Sequence, residues 1–199
     1  MANSTCGPYD SYAIFFQLDS MMESFKFYLE ETGRLRLMRT DVVLVASIPE
    51  QKMYLYNGDE AVKTYVISTS KLPPSCKENS LGTPWGMHQV SEVIGKDEAE
   101  GTVFKGRRRT GFSYWEMPSE DQLANLITSR ILRLRGLEED VNLGGNVDTF
   151  ARFVYIHGTN HEAKLGSPAS SGCIQVSNAD AIQLAVLVPV GSHLLILKQ

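Results

Sequence analysis

One histidine and one cysteine stand in surroundings that suit a thiol nucleophile and its base. His157 follows an apolar, β-prone run at 153–156, and Cys173 comes sixteen residues later, directly after Gly172. Near neutral pH only a few per cent of a free thiol is thiolate, and the thiolate is the attacking species. An imidazole takes the thiol proton if the two residues meet in the fold, whatever their separation in sequence. The amides of Gly172 and Cys173 are candidate donors to the oxyanion that forms when a thiolate attacks a carbonyl. Gly172 has no Cβ and so admits both a tight backbone and a close substrate. A third group usually orients the base of such a pair. No carboxylate adjoins His157, which leaves the Gly158 carbonyl, Asp148 and Asp180 as alternatives.

A plainer reading exists for each of these residues. Cysteine often serves as a small buried hydrophobe, and a histidine as a satisfied core or surface group. His88, inside an apolar strand pattern, reads as structural or exposed, and His193 as non-catalytic. Cys6, Cys76 and Cys173 are an odd number without Cys-x-x-Cys spacing, so no metal site is expected. Cys6 and Cys76 read as unrelated thiols, with a disulfide as the alternative in an oxidising compartment.

The elements that must position the pair can be read in order. Residues 11–38 form an amphipathic helix, with Tyr12, Phe15, Phe16, Met22 and Phe25 among charged residues and Gly33 as its stop. It is too short for a domain and is expected to pack on the β-rich remainder of the chain. The pattern turns to β at 42–48. A hairpin comes next, 53–56 and 61–69, signalled by Asn57-Gly58. Residues 71–82 are a loop, 87–94 a strand entered through Thr83-Pro84-Trp85-Gly86, and 95–125 the least regular stretch. That stretch carries Arg107-Arg108-Arg109, read as an exposed hairpin tip, with a carboxylate-attracting lid as the alternative. A strand at 127–137 and a loop at 138–149 lead to His157. After Cys173, Asn178 caps a helix at 179–188 that Pro189 stops, with Asp180 favourable in its first turn. A last strand, 193–197, closes the sheet.

A length of 199 residues, 43% hydrophobic and 21% charged, suits one cored domain with an extension. The net charge of −4 gives no case for nucleic acid or an anionic membrane. No run of eighteen apolar residues predicts a spanning helix. Residues 1–8 show no secretory signal pattern.

The motifs His157-Gly158-Thr159-Asn160, Ser171-Gly172-Cys173-Ile174 and Asn178-Ala179-Asp180 resemble the signature of L,D-transpeptidase catalytic domains, the YkuD-like family. Gly82-Thr83-Pro84-Trp85-Gly86, 127–132 and Gly144-Gly145-Asn146-Val147-Asp148-Thr149 extend the likeness over about 40–199, leaving 1–39 as a helical extension. The resemblance implies a mainly β fold, a sandwich or partly closed barrel of mixed strands with a helix after the nucleophile. It implies a cysteine acyltransferase of peptidoglycan: Cys173 is acylated by a tetrapeptide stem and His157 is its base. Ser171, Gly172 and Gly158 then shape the oxyanion and base environment, and Tyr155, Thr159, Asn160, Gln175 and Arg130 meet substrate. No metal or organic cofactor is implied. Carbapenem-type β-lactams are the expected inhibitors and the cell envelope the expected compartment. Two positions depart from the family pattern. Ser171 stands where a histidine is common, and Gln175 where an arginine is usual, which removes a charge and a carboxylate-matching fork. The alternatives are an L,D-carboxypeptidase using the same acyl-enzyme and a non-catalytic peptidoglycan-binding module.

Overall fold

The computed structural model describes residues 8–199, with side chains from Asp19 onward. Cys6 and the side chains of Tyr12, Phe15 and Phe16 lie outside the described residues. The chain divides into two compact units that part after residue 38. The first is helix α1 (Pro8–Leu35). Pro8 suits its first turn, where the missing N–H has no partner to lose. Gly33 does not stop it. The helix runs on to Leu35 and ends at Arg36, which takes a left-handed φ of 55°. The Leu37 N–H then reaches back to the Thr32 carbonyl at 3.0 Å, satisfying one orphan acceptor. Among the described residues no helix is long and apolar enough to cross a membrane.

The second unit is one mixed sheet and a second helix. Its strands are β1 (Val42–Ser47), β2 (Lys52–Asn57), β3 (Glu60–Val66), β4 (Gly86–Ile94), β5 (Thr102–Lys105), β6 (Arg108–Ser113), β7 (Ile127–Gly136), β8 (Tyr155–Gly158), β9 (Ile174–Val176) and β10 (His193–Leu197). Helix α2 (Asn178–Leu187) follows β9. The order is β3-β2-β1-β10-β4-β7-β5-β6, and β8 branches from β7 to carry β9. The β1–β10 and β8–β9 pairs are parallel and the others antiparallel. The branch occurs at a bulge in β7, where the register to β8 shifts between Thr128 and Ile131 and Ser129 adopts a φ of 61°. Beyond β3, Ser68 forms an isolated bridge to Gln175 of β9. That bridge curls the sheet edge to edge without a ladder, so the barrel is partly closed, as the mainly β expectation had it.

The curl encloses one apolar core. Leu44, Leu55, Val90, Leu132, Ile156, Ile174, Val176 and Leu194 meet Ala181, Leu184, Ala185 and Val188 from α2 and its end. Complete burial of a side chain such as Leu184 is worth about 2 kcal/mol. The cap of α2 is Ser177 rather than Asn178: Ser177 accepts the Asp180 N–H at 3.0 Å. Asn178, one residue inside, serves elsewhere. Its Oδ1 accepts from Thr128 Oγ1 and Ser129 Oγ, both at 2.6 Å, and its Nδ2 donates to the Thr159 carbonyl at 3.0 Å. One amide thus ties α2 to the β7 bulge and to the chain leaving β8. Asp180 pairs with Lys63 at 2.8 Å, away from His157's ring contacts. The hairpin turn centres on Gly58-Asp59, one residue beyond the expected pair, because β2 extends through Asn57.

Within the stretch 95–125, β5 and β6 form a hairpin with Gly106 and Arg107 at its tip. It is more regular than its composition suggests.

Candidate active site

The parallel β8–β9 pair brings the two chemical residues together. Ile156 pairs with Ile174, and His157 with Gln175. Strand side chains alternate between faces. Ile156, Ile174 and Val176 enter the main core, so Tyr155, His157, Cys173 and Gln175 belong to the other face. Cys173 sits one residue before β9 and packs against a small separate cluster of Phe104, Ile131 and Tyr155. Ile131 is also the β7 register partner of His157. The histidine and cysteine are therefore diagonal neighbours on a shared apolar floor.

The His157 ring is buried, and its Nδ1 lies 2.7 Å from the Gly158 carbonyl. A carbonyl only accepts, so Nδ1 carries the proton and Nε2 of the neutral ring is a base. Burial holds the imidazole down at about 4, against the raising effect of the Gly158 carbonyl. Burial likewise pushes the Cys173 thiol up to about 11, while the Tyr155 backbone amide and the Arg152 guanidinium pull it down. Both shifts favour a neutral thiol beside a neutral imidazole. The thiol points to the Phe153 carbonyl at 3.7 Å rather than to the ring. Catalytic hydrogen bonds are often misaligned before substrate binds.

Cys173 opens onto a cleft of about 230 Å³ lined by Glu78, Asn79, Leu81, 151–154, Ser171 and Gly172. Gly172 has a φ of 120°, and a Cβ there would lie 3.4 Å from the carbonyl oxygens of Leu81 and Gly82. The positive φ of the turn requires glycine, while the 81–82 loop would only touch a Cβ at ordinary contact distance. Its N–H donates to Ser170 Oγ at 3.2 Å, and the same hydroxyl donates to the Cys173 carbonyl at 2.6 Å. The Gly172 amide is thus engaged before any oxyanion forms. Ser171 is exposed at the cleft wall.

The remaining expected substrate contacts differ in placement. Tyr155 is buried beside Cys173, and its hydroxyl accepts from Arg107 Nη1 at 3.1 Å. The Arg107 guanidinium also lies 4.7 Å from the Phe153 ring, so the hairpin tip reaches the rim of the cysteine's surroundings. Gln175 is 2% exposed on the His157 face. Thr159 Oγ1 accepts the His161 N–H at 3.1 Å. Asn160 fastens a loop: its Oδ1 accepts the Leu126 N–H at 3.0 Å and its Nδ2 donates to the Gln122 carbonyl at 2.7 Å. Arg130 donates to the Ser129 carbonyl at 2.6 Å, has Asp97 and Glu98 nearby, and is not among the residues lining the cleft. Thr159, Asn160 and Arg130 thus bind their own chain.

Arg152 and Phe153 are cleft residues that sequence reasoning passed over. They precede His157 closely, but no motif marks them. His88 is a satisfied core histidine: Nδ1 donates to the Gly86 carbonyl at 2.9 Å, Nε2 lies 3.0 Å from Thr149 Oγ1, and burial holds its pKa at about 4. Cys76 is a buried free thiol near the Trp85 backbone. Among the described residues no three His, Cys, Asp or Glu side chains converge as a metal site.

Comparison with known proteins places this site in context. The family profile described as YkuD, L,D-transpeptidase catalytic domain, matches residues 41–196. YkuD of Bacillus subtilis (strain 168) is 49% identical over 41 residues, 21% of this chain and 25% of that protein. YqjB of the same strain is 42% identical over 48 residues, 24% of this chain and 27% of that protein. The chain thus aligns with about a quarter of these curated relatives. Among solved structures, an L,D-transpeptidase in complex with imipenem matches with a TM-score of 0.50 and 19% identity, over 79% of this chain and 59% of that one. L,D-transpeptidase 3 from Mycobacterium tuberculosis, with a faropenem-derived adduct, matches with a TM-score of 0.50 and 17% identity, over 79% and 60%. At those identities the structures speak for the fold. The profile spans most of the chain, and the chain belongs to the family of YkuD L,D-transpeptidase catalytic domains.

Proposed function

We propose that the protein is a cysteine acyltransferase acting on peptidoglycan tetrapeptide stems. The observation that carries this reading is the placement of His157, its Nδ1–H held by the Gly158 carbonyl, and of Cys173, at the mouth of a cleft, on one sheet face. Substrate binding turns the thiol from the Phe153 carbonyl toward Nε2. Nε2 takes the Sγ proton as sulfur attacks the carbonyl carbon of the L-to-D peptide bond. The oxyanion is met by the Cys173 N–H and by the Gly172 N–H once it leaves Ser170. The tetrahedral intermediate collapses, the C–N bond breaks, and the imidazolium protonates the leaving amine of the terminal D-residue. A thioester on Cys173 remains. An acceptor amine then attacks it and gives its proton to His157, and collapse expels the thiolate, which recovers that proton.

A neutral resting pair suits this sequence, because the ion pair then forms only when a carbonyl is there to attack. Water in place of the amine gives an L,D-carboxypeptidase with the same residues. The β-lactam complexes of structurally similar transpeptidases support carbapenem acylation of Cys173 as a further expectation, and the family's chemistry points to the cell envelope as the place of action. The test is incubation of a tetrapeptide-stem muropeptide with a D-amino acid, followed by mass spectrometry, with Cys173→Ala beside it. Exchange of the terminal residue, lost in the variant, is the expected result. Release without exchange marks the carboxypeptidase. An unchanged stem marks the binding module.

A further inference from the structure

A cation in the Cys173 cleft has no assigned part. Arg152 lines the cleft together with Ser171, Gly172 and Cys173. Its guanidinium is fixed from behind. Nη1 donates to the Ser75 carbonyl at 3.0 Å, and Nη2 to the Gly82 carbonyl at 2.8 Å and to Ser80 Oγ at 3.3 Å. These acceptors are all neutral, and they engage three of the five N–H donors that an arginine presents. Among the described residues Arg152 forms no ion pair within 4.0 Å. Glu78 also lines the cleft and influences Arg152 electrostatically, but it is exposed, where solvent screens it. Gln175, buried as the register partner of His157, offers no charge.

We propose that Arg152 receives a carboxylate of the acyl donor beside Cys173. The inference rests on the acyl-transfer reading given above. In a stem cleaved at its last peptide bond, the terminal carboxylate of the leaving residue lies three bonds from the attacked carbon. A guanidinium held in place by two carbonyls and a hydroxyl keeps two N–H donors and its full charge for such a group. The preference is for donors with an intact carboxylate near the scissile bond. The same charge draws the thiol toward ionisation.

The first test needs no peptidoglycan. Cys173 is alkylated by iodoacetate, an anion, or by iodoacetamide, its neutral counterpart, and the modified Cys173 peptide is quantified by mass spectrometry. Both reagents attack the same thiolate, so the rate ratio cancels thiol acidity and isolates attraction of the carboxylate. Arg152→Gln is expected to lower the iodoacetate-to-iodoacetamide ratio about three- to tenfold, the range for charges several ångströms apart in a partly wet cleft. Arg152→Lys is expected to retain most of it. An unchanged ratio in folded Arg152→Gln overturns the proposal. Should that variant fail to fold, salt titration of the wild-type protein decides. A ratio that falls with ionic strength supports it, and one equal to that of a free thiol at every salt overturns it.

The second test compares stems with a free or an amidated carboxylate, at the terminal residue or on the side chain of the residue before it. Loss of the acid-over-amide preference in kcat/KM on Arg152→Gln, at either position, supports the proposal and identifies the carboxylate. A preference that Arg152→Gln leaves intact at both positions overturns it. If the wild-type protein turns over none of these stems, the reaction assigned above is overturned, and the alkylation ratio still decides whether Arg152 attracts carboxylates.

Discussion

His157 and Gln175 are register partners across the parallel β8–β9 pair, and both are buried on the sheet face that carries Cys173. A neutral amide there leaves the thiol and imidazole to a low-polarity setting in which each stays uncharged. The alkylation rate of Cys173 is therefore expected to rise through pH 7–10 without a neutral plateau. Gln175→Arg places a cation on this face. It is expected to lower the apparent thiol pKa from about 11 by about one to two units, the range for a nearby opposite charge. Rate–pH profiles with iodoacetamide measure this. Superimposable profiles would show that position 175 does not act on the thiol.

The buried histidines make stability depend on pH. His88 and His157 both titrate at about 4 in the fold, against 6.5 when exposed. Between those values the unfolded chain binds protons that the native state refuses. The stabilisation is complete above pH 6.5 and declines as pH falls toward 4, below which the folded state also takes up protons. Burial lowers His193 in the same direction. Each of the two fully shifted groups contributes on the order of 3 kcal/mol. Urea unfolding at pH 7.5 and 4.5 should show the loss. A midpoint that does not move between them contradicts the assignment of neutral buried rings.

Gly172 carries a φ of 120°, a backbone conformation that residues other than glycine rarely adopt. Gly172→Ala is expected to destabilise the protein by about 1–3 kcal/mol and to slow Cys173 alkylation, because the strain falls on the turn that presents the thiol. Thermal melting and labelling on the same sample check both effects. A variant with the native midpoint and labelling rate would place no demand on this turn.

Much of this arrangement could be read from the chain. The strand expected at 193–197 is β10, and the mixed, partly closed sheet is as expected. The misses share a physical origin. Ser177 outranks Asn178 as the cap because Asn178 is held by Thr128 and Ser129 from a distant strand, a competition invisible to local propensity. The hairpin tip expected at Arg107-Arg108-Arg109 is the turn of β5–β6, but its strands went unread because a four-residue strand beside glycines and arginines has almost no periodicity. Arg152 escaped notice because the cleft is assembled from 78–81, 151–154 and 171–173, three segments that only the fold brings together. His157 and Cys173 stood out because their chemistry is local to the side chain.

Asn178 joins α2 to the bulge of β7 and to the chain after His157. Asn178→Ala leaves the buried Thr128 and Ser129 hydroxyls and the Thr159 carbonyl without that partner. The expected loss is about 2–4 kcal/mol, measured by urea unfolding. A loss below about 1 kcal/mol, the worth of one ordinary hydrogen bond, would mean that water replaces the amide and that the tie is not structural.

Whether Cys173 carries the acyl group is decided by intact-protein mass spectrometry. The protein is mixed with a tetrapeptide-stem muropeptide, quenched in acid within seconds and weighed, and the adduct is mapped by proteolysis. The expected result is an added mass equal to the stem less its terminal D-residue, on Cys173, absent from Cys173→Ala and lost on treatment with hydroxylamine. Terminal-residue release with no adduct on Cys173, or release that persists in Cys173→Ala, would contradict acyl transfer through this thiol.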